Sequence, residues 1–185
     1  MRILQLEASG LPQAWITNEV AASHYASGNV RWTVGEPCVT MRGGTNARSG
    51  RQSTLDLHPI IATNGTSRLN LHESVPSLTN PKLWVRDRYT CAYCGSVHKH
   101  GVGLTREHIV PTAREGVNGW SNVLAACRAC NGRKACRTPE EAGMKMLFMP
   151  YVPSRWEGFI LSERNVRADV HEWLAAKVPK GSRIH

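Results

Sequence analysis

The chain of 185 residues is long enough for one domain with appendages, and its hydrophobic content of 41% excludes a wholly disordered protein. No apolar run approaches the roughly 18 residues that a membrane span needs, so we expect no membrane partner. The formal net charge is +9, and its excess lies in residues 81–137, which hold ten Lys and Arg against three acids. A local positive field of this kind favours binding of nucleic acid.

Two segments near the N-terminus alternate apolar and polar residues in the manner of half-buried strands, Ile3–Glu7 and Val30–Val34. Between them, Thr17 is suited to cap a helix that continues through Ala26. We therefore predict that residues 1–80 form an N-terminal extension of strands and a helix.

Residues 42–54 have no apolar period and are rich in Gly, Ser, Thr, Asn and Arg. This composition is typical of an exposed segment without a packed core of its own. We interpret residues 42–54 as a basic, flexible loop, and ordering on a phosphate backbone is one role that such a loop can have.

The C-terminal part predicts two helices. Thr138-Pro139-Glu140-Glu141 has the pattern of a capping box and predicts a short helix through about Leu147. Asn165 is suited to cap a last helix, in which apolar residues recur at helical spacing. These apolar residues are Val166, Val170, Trp173, Leu174 and Val178. We assign residues 81–150 to a central module and residues 151–185 to a linker followed by an amphipathic helix.

Two cysteine pairs frame the central module. Cys91-Ala92-Tyr93-Cys94 and Cys127-Arg128-Ala129-Cys130 are separated by 32 residues. Four thiolates suit a tetrahedral Zn²⁺ ion, and a closed shell of four sulfurs leaves no open position for a substrate. We therefore predict a structural zinc site, which would contribute directly to the folding free energy of the module. Its ligands are Cys91, Cys94, Cys127 and Cys130.

Other ligand sets remain open at this point. His98 or His100 can replace one cysteine, and Cys136 is an alternative ligand, although Cys38 and Cys136 are more simply interpreted as ordinary thiols. The apolar stretch at the N-terminus is interrupted by Gln and Glu, so we expect no signal peptide. Without one, paired cysteines favour metal over disulfides, and we expect a reducing cytoplasm.

Residues 104–110 have the pattern of a strand that ends at Pro111. In a strand Glu107 and His108 point to opposite faces, unless a twist or bulge brings them to one site. Asn122 is suited to cap a helix that contains Asn131. Their separation of nine residues would place the two asparagines on roughly opposite faces of that helix.

Several short motifs occur together in this module. They are Arg86-Asp87-Arg88-Tyr89-Thr90 before the first cysteine pair, Glu107-His108, Gly119-Trp120-Ser121-Asn122, and the run from Cys127 to Lys134. Over residues 81–150 this combination strongly resembles the HNH endonuclease family in its four-cysteine, zinc-binding form. The resemblance implies an α+β fold with a zinc-stapled ββα-metal core, the His-Me finger. An N-terminal α/β extension and a C-terminal helix would flank this core.

The resemblance also implies roles for four residues. His108 matches the general base that takes a proton from the attacking water. Asn122 matches the residue whose side chain fixes the loop between strand and helix. Glu107 and Asn131 match the ligands of a catalytic Mg²⁺ or Mn²⁺ ion. The implied products of phosphodiester hydrolysis carry 5′-phosphate and 3′-hydroxyl ends.

The chain departs from the common family pattern at two places. Glu107 stands where many members have aspartate, so its longer side chain has a different reach. Residues 113–116, Ala-Arg-Glu-Gly, replace a more usual small, glycine-rich turn and add one positive and one negative side chain near the site.

Basic residues surround these positions, and we predict that they contact DNA phosphates. They are Arg106, Arg114, Arg128, Arg133 and Lys134. Lys134 is the first choice, because it follows Asn131 by three residues, or about one helical turn.

We therefore expect a metal-dependent endonuclease that acts on double-stranded DNA in the cytoplasm. The N-terminal strands and Pro150-Tyr151-Val152-Pro153 also resemble small bacterial and phage proteins of this family, which implies a bacterium or the host of a phage. Two alternatives are a zinc-dependent module that binds nucleic acid without turnover and a ribonuclease. The set of Glu107, His108, Asn122 and Asn131 argues against the first, since a pure binder does not need all four. A monomer with one such site would nick DNA and a homodimer would cut both strands, and the sequence favours neither.

Overall fold

The computed structural model describes residues 1–65, 75–163 and 165–184. The chain divides into two compact units. The first, here called unit 1, contains residues 1–74 and 165–176, and the second, unit 2, contains residues 75–164 and 177–185. The described part of the chain has a mixed α+β fold with several small sheets, which confirms the predicted fold class at this level.

The described residues form five α-helices and eight β-strands. The helices are α1 (Asn18–Ala26), α2 (Asn80–Arg86), α3 (Arg128–Lys134), α4 (Arg155–Ser162) and α5 (Ala168–Ala175). The strands are β1 (Ile3–Glu7), β2 (Pro12–Ile16), β3 (Val30–Val34), β4 (Val39–Thr45), β5 (Gln52–Leu57), β6 (Ile60–Thr63), β7 (Leu104–His108) and β8 (Val123–Cys127). No described helix is both long and apolar enough to cross a lipid bilayer.

Unit 1 is built on a four-stranded sheet with the strand order β2-β1-β6-β3. The two central strands, β1 and β6, are parallel, and the outer strands pair with them in antiparallel fashion. All four residues of β6 are buried, as expected of a central strand that is covered on both faces. The apolar core of this unit contains Ile3, Ile16, Ala21, Leu57 and Ile61.

The predicted elements near the N-terminus are confirmed. Strands β1 and β3 have the predicted bounds, Ile3–Glu7 and Val30–Val34. Helix α1 ends at Ala26 as predicted, and its N-cap is Thr17, whose hydroxyl accepts a hydrogen bond from the amide of Val20 at 3.4 Å. This bond satisfies one of the backbone amides that the first turn of a helix leaves without an intrahelical partner.

The prediction of a loop over residues 42–54 is wrong, because β4 and β5 form an antiparallel hairpin there. The turn between the strands is held by the Asn46 side chain, whose oxygen accepts from the amides of Arg48 and Ser49 at 2.9 and 3.0 Å. Every residue from 42 to 54 is exposed. Because neither face of this ribbon is buried, apolar and polar residues do not alternate along it. The alternation that predicts a strand is therefore absent from its sequence.

Unit 2 contains a second antiparallel pair, β7 and β8, and helix α3 follows β8 directly. Leu104 opposes Cys127 and His108 opposes Val123, without any shift of register between them. The strand prediction is confirmed as far as His108. The prediction that Asn122 caps a helix is wrong, since β8 begins at the next residue.

The error at Asn122 has a physical cause. Residues 123–126 are Val-Leu-Ala-Ala, and all four are fully buried. A short, continuous apolar run of this kind fits a buried strand and a buried helix equally well, so its period does not distinguish them. The inference that Asn122 and Asn131 lie on opposite faces of one helix fails with it, because a strand separates them.

A buried ion pair holds unit 2 together. The Arg86 guanidinium donates to both carboxylate oxygens of Asp87, at 2.7 and 3.1 Å, and to the carbonyl oxygens of Trp120 and Val123, at 2.8 and 2.7 Å. The Asp87 carboxylate also accepts from the amide of Ala125 at 2.7 Å. Arg86 and Asp87 are 0% and 1% exposed, and a buried pair is tolerated only when its remaining donors and acceptors are satisfied in this way. The pair therefore fixes the end of α2 against β8.

The apolar core of unit 2 surrounds this ion pair. It is formed by buried residues of α2, β7, β8 and α4 together with Trp120, and the residues are Leu83, Trp84, Leu104, Trp120, Val123, Ala125 and Leu161. Helix α4, which supplies Leu161, begins with a capping box between Ser154 and Glu157.

Two C-terminal predictions need correction. The capping box at Thr138 forms, since the Thr138 hydroxyl accepts from the amide of Glu141 at 3.3 Å and the Glu141 carboxylate accepts from the amide of Thr138 at 3.0 Å. However, the chain makes only a turn there and no helix reaches Leu147. Gly143 has a φ of +63°, a left-handed conformation that ends a helix.

The last helix begins later than predicted. Helix α5 starts at Ala168 with Arg167 as its N-cap, so Asn165 is not the cap. Val170 and Leu174 of this helix are 1% and 0% exposed, in agreement with the predicted apolar face.

Candidate metal centre and active site

The four predicted cysteines lie together in unit 2. The sulfur atoms of Cys91, Cys94, Cys127 and Cys130 all lie within 4.8 Å of one another. The sulfurs of Cys94 and Cys127 are 3.9 Å apart. A tetrahedron with Zn–S bonds of about 2.3 Å has sulfur–sulfur edges of about 3.8 Å. The cluster therefore has the ligand type, number and spacing that one zinc ion requires.

Backbone geometry brings each pair of cysteines into position. After Cys91 the chain turns back through Gly95, which has a φ of +74° and donates its amide to the carbonyl of Cys91 at 3.0 Å. Cys127 ends β8 and caps α3, and its sulfur accepts from the amide of Cys130 at 3.4 Å. Hydrogen bonds from Ser96 lower the pKa of Cys94 to about 6, whereas burial raises the pKa of the Cys91 and Cys130 thiols. A cation among the four sulfurs would favour the thiolate at each position.

The alternative ligands are not part of this cluster. The His98 ring bonds to the Ser96 hydroxyl at 3.0 Å through Nε2 and to the carbonyl of Val102 at 2.9 Å through Nδ1. Cys136 is exposed and Cys38 belongs to unit 1. In the part of the chain that the structure describes, only the four predicted cysteines form a group of this kind.

Glu107 and His108 project from opposite faces of β7. The regular pairing of β7 with β8 contains no bulge that would bring the two side chains to the same face. Glu107 is 3% exposed, whereas His108 is only partly buried. The two faces of β7 therefore hold different groups of polar residues.

On the buried face, Glu107 forms an ion pair with Lys134 of α3. The Lys134 ammonium lies 2.7 Å from Oε1 of Glu107, and the two side chains are 1% and 3% exposed. The Tyr93 hydroxyl donates to the same oxygen at 3.4 Å. Burial raises the pKa of Glu107, although Lys134 acts in the opposite direction. Burial and the neighbouring Glu107 carboxylate also raise the pKa of Tyr93.

The prediction that Lys134 contacts DNA phosphate is corrected by this position. Its ammonium faces Glu107 and donates to the carbonyl of Arg137 at 2.6 Å, so it does not reach the surface. The helical spacing that suggested the phosphate contact also explains why the prediction is wrong. Lys134 lies one turn after Asn131 on the side of α3 that packs against β7. The amide nitrogen of Asn131 donates to the Thr105 hydroxyl at 2.8 Å, on the same face of β7 as Glu107.

On the other face, His108 and Arg106 share the side chain of Asn118. The amide oxygen of Asn118 accepts from Arg106 at 2.9 Å and lies 3.2 Å from Nε2 of His108. Because Arg106 has only donors, the oxygen of Asn118 must be the atom that faces both residues. We infer from this network that Nε2 of His108 carries a proton and that Nδ1 is the basic nitrogen of the neutral ring.

Asn118 is a site residue that the sequence did not reveal. It precedes Gly119, and an Asn-Gly pair indicates a turn rather than a functional group. Its contact with His108 spans ten residues and depends on the path of the loop between β7 and β8.

Asn122 binds the backbone of that loop. Its amide nitrogen donates to the carbonyls of Val110 and Val117, at 3.0 and 2.9 Å, and its oxygen accepts from the amide of Val110 at 2.9 Å. The loop also passes so close to itself that a Cβ on Gly116 would lie 1.8 Å from the carbonyl oxygen of Val110. Asn122 thus connects the two ends of the loop that carries Asn118.

The other predicted phosphate contacts have different surroundings. Arg114 forms an ion pair with Glu141 at 2.7 Å, and both side chains are about half exposed, at 48% and 47%. Arg128 and Arg133 are exposed on α3. Arg106 is held by the side-chain oxygens of Asn80 and Asn118, each at 2.9 Å.

Comparison with known proteins gives one match. Residues 91–147 match a family model described as HNH endonuclease. No curated protein and no solved structure gives a significant match to the chain. The matched segment contains both cysteine pairs, both strands of the β7–β8 sheet and helix α3. A domain of this family implies a nucleic-acid substrate. The resemblance found in the sequence is therefore confirmed for residues 91–147, which match this family.

Proposed function

We propose that this protein is a metal-dependent endonuclease that hydrolyses phosphodiester bonds in double-stranded DNA. The observation that carries the proposal is the position of His108 within the HNH endonuclease segment. The imidazole is partly exposed at the end of β7, beside the cation of Arg106, and Asn118 engages its Nε2. This arrangement is suited to a general base that acts on a bound phosphodiester.

In the proposed reaction, Nδ1 of His108 accepts a proton from a water molecule while the water oxygen attacks phosphorus. The bond from phosphorus to the 3′ oxygen breaks and the 3′ oxygen takes a proton from solvent, which leaves a 5′-phosphate and a 3′-hydroxyl. Asn118 is a positioning residue, because it orients the imidazole and fixes its tautomer without touching the substrate. Arg106, which binds the same amide oxygen, places a positive charge next to the base.

We further propose that Glu107 and Asn131 hold the catalytic Mg²⁺ or Mn²⁺ ion. Lys134 and Tyr93 both contact Oε1 of Glu107, so Oε2 is the oxygen for the cation. Asn131 uses its amide nitrogen to bind Thr105, which leaves the carboxamide oxygen as a ligand atom. The two residues lie on adjacent elements, and oxygen donors of this kind suit a hard cation. When bound, such a cation would stabilise negative charge on phosphate oxygens. Glu107 and His108 lie on opposite faces of β7, so the cation and the base would act on one phosphate only after the end of this strand twists.

The four-cysteine cluster supports a structural role for zinc. All four ligand positions are filled by sulfur, so this ion would have no open position for a substrate. Its proposed function is to hold the segment after α2 against the β8–α3 junction. Because the cysteines must be reduced to bind zinc, we propose a cytoplasmic location, in a bacterium or in the host of a phage.

The test is cleavage of a supercoiled plasmid by the wild type and by His108→Ala, with Mg²⁺, with Mn²⁺ and with EDTA. We expect metal-dependent conversion to open circles by the wild type and none by the variant. The ratio of nicked to linear product distinguishes a monomer that cuts one strand from a dimer that cuts both. Binding without cleavage in either metal would favour a non-catalytic binding module, and preferential cleavage of duplex RNA would favour a ribonuclease.

A further inference from the structure

The β4–β5 hairpin of unit 1 is anchored at one end and free at the other. Near its base, Val39, Met41 and Leu55 pack against the core of unit 1. Beyond them, every residue from 42 to 54 is exposed, although the two strands continue to pair as far as Thr45 and Gln52. An ordered ribbon that buries neither face contributes little to the core, so stability does not explain its length.

The exposed part of the hairpin is positively charged. Arg42, Arg48 and Arg51 lie in it, and the sequence has no acidic residue between Glu36 and Asp56. Asp56 lies at the base, where its carboxylate accepts from the Thr40 hydroxyl at 2.6 Å. Among the described residues, no side chain forms an ion pair with the three arginines of the hairpin. Three exposed guanidinium groups without a neighbouring carboxylate form a surface that attracts phosphate.

The shape of the hairpin fits a groove of duplex DNA. Its arms extend about 16 Å from the base, since each strand residue adds about 3.3 Å. The major groove of B-DNA is about 12 Å wide and 8.5 Å deep and admits a two-stranded β-ribbon. The register shifts between Arg42 and Thr45, and a Cβ on Gly43 would lie 2.3 Å from the Ser53 hydroxyl. This irregularity increases the local twist of a ribbon, as is required to follow a helical groove.

We propose that the β4–β5 hairpin enters the major groove of duplex DNA, with Arg42, Arg48 and Arg51 contacting the phosphates that border it. The proposal rests on the proposed function for its choice of DNA as the partner. Shape favours DNA over duplex RNA, because the major groove of an A-form helix is too deep and narrow for protein side chains to read. The hairpin would give the nuclease a second contact with its substrate that is separate from the HNH segment.

The experiment measures DNA binding without cleavage. Arg48→Gln/Arg51→Gln is made in the His108→Ala background and titrated with a labelled duplex of 30 base pairs from low to high salt. Arg31→Gln/Lys180→Gln in the same background removes the same formal charge from exposed positions outside both the hairpin and residues 81–137. Because Arg48 and Arg51 contact no core residue, the melting temperature of the hairpin variant should equal that of its parent, which shows that it is folded.

We expect the hairpin variant to bind DNA at least tenfold more weakly than its parent at about 0.1 M salt. The slope of the logarithm of its association constant against the logarithm of salt concentration should be shallower by about 1.8, because each lost phosphate contact reduces the slope by about 0.9. The control should change both quantities by less than half as much. Methylation of guanine N7, a major-groove atom, should weaken binding of the parent more than that of the hairpin variant.

Equal salt slopes for parent and hairpin variant would overturn the proposal, as would an equal contribution of the hairpin to binding of a duplex RNA of the same sequence. These outcomes are distinct from failure of the proposed function. If the wild type binds DNA through the hairpin but never cuts it, the hairpin proposal stands and the nuclease proposal falls. If the wild type cuts DNA and the hairpin variant binds and cuts equally well, only the hairpin proposal falls.

Discussion

Replacing Lys134 by methionine should destabilise unit 2 strongly, because it removes one partner of a buried ion pair. The ammonium lies 2.7 Å from Oε1 of Glu107, and the side chains are 1% and 3% exposed, so solvent does not screen the interaction. Loss of one partner leaves an uncompensated charge in the interior, which costs about 3–5 kcal/mol. Tyr93 is the only other described side chain with a hydrogen bond to this carboxylate, and at 3.4 Å it compensates weakly.

The assay is urea unfolding in buffer without added Mg²⁺ or Mn²⁺, followed by tryptophan fluorescence. Glu107→Gln and the double variant Glu107→Gln/Lys134→Met complete a thermodynamic cycle. The double variant removes both charges, so we expect it to recover more than half of the free energy of unfolding that Lys134→Met loses. A loss below about 1 kcal/mol for Lys134→Met, or no recovery in the double variant, would show that the two charges are not buried and coupled.

Three further results are expected. Cys94→Ser, or removal of zinc with a strong chelator, should lower the melting temperature of the protein. Added zinc should restore the melting temperature of the chelated wild type but not that of the variant. An unchanged melting temperature would contradict a structural role for zinc. Asn118→Ala should lower kcat by at least tenfold with little change in KM, because the His108 ring loses its orientation. The pH profile of kcat should shift for the same reason. A change in KM alone would show that Asn118 only binds substrate. Asn122→Ala removes three hydrogen bonds to the loop backbone and should destabilise the protein by about 2–4 kcal/mol, as measured by urea unfolding. A loss within about 0.5 kcal/mol, which is typical of surface positions, would show that the loop is held by other contacts.

Some features that depend on local spacing were predictable from the sequence, although the caps at Asn122 and Asn165 and the helix after Thr138 were not. Two residues between the cysteines of each pair suffice for a metal knuckle, so the four ligands were identified without knowledge of the fold between them. The Thr17 cap and the alternation in Ile3–Glu7 are local in the same sense, and both predictions are confirmed. The family resemblance also depended on short motifs, and it is confirmed for residues 91–147.

Features that depend on tertiary contacts were not predictable. The burial of Lys134 follows from the packing of α3 on β7. The position of a lysine within a helix does not show whether that side of the helix will be buried or exposed. Asn118 became visible as a partner of His108 only when the path of the loop was known. The hairpin over residues 42–54 was missed because its strands bury no side chain and therefore leave no apolar period in the sequence.

The proposed mechanism depends on transfer of a proton from water to Nδ1 of His108 during hydrolysis of DNA. The most direct measurement is the single-turnover rate at which a linear DNA duplex is cleaved by the wild type and by His108→Gly, with and without added imidazole. We predict that the variant is slower by about 10²–10⁴-fold and that imidazole restores part of the rate, because it supplies the missing base in solution. Cleavage by His108→Gly at the wild-type rate would contradict the account.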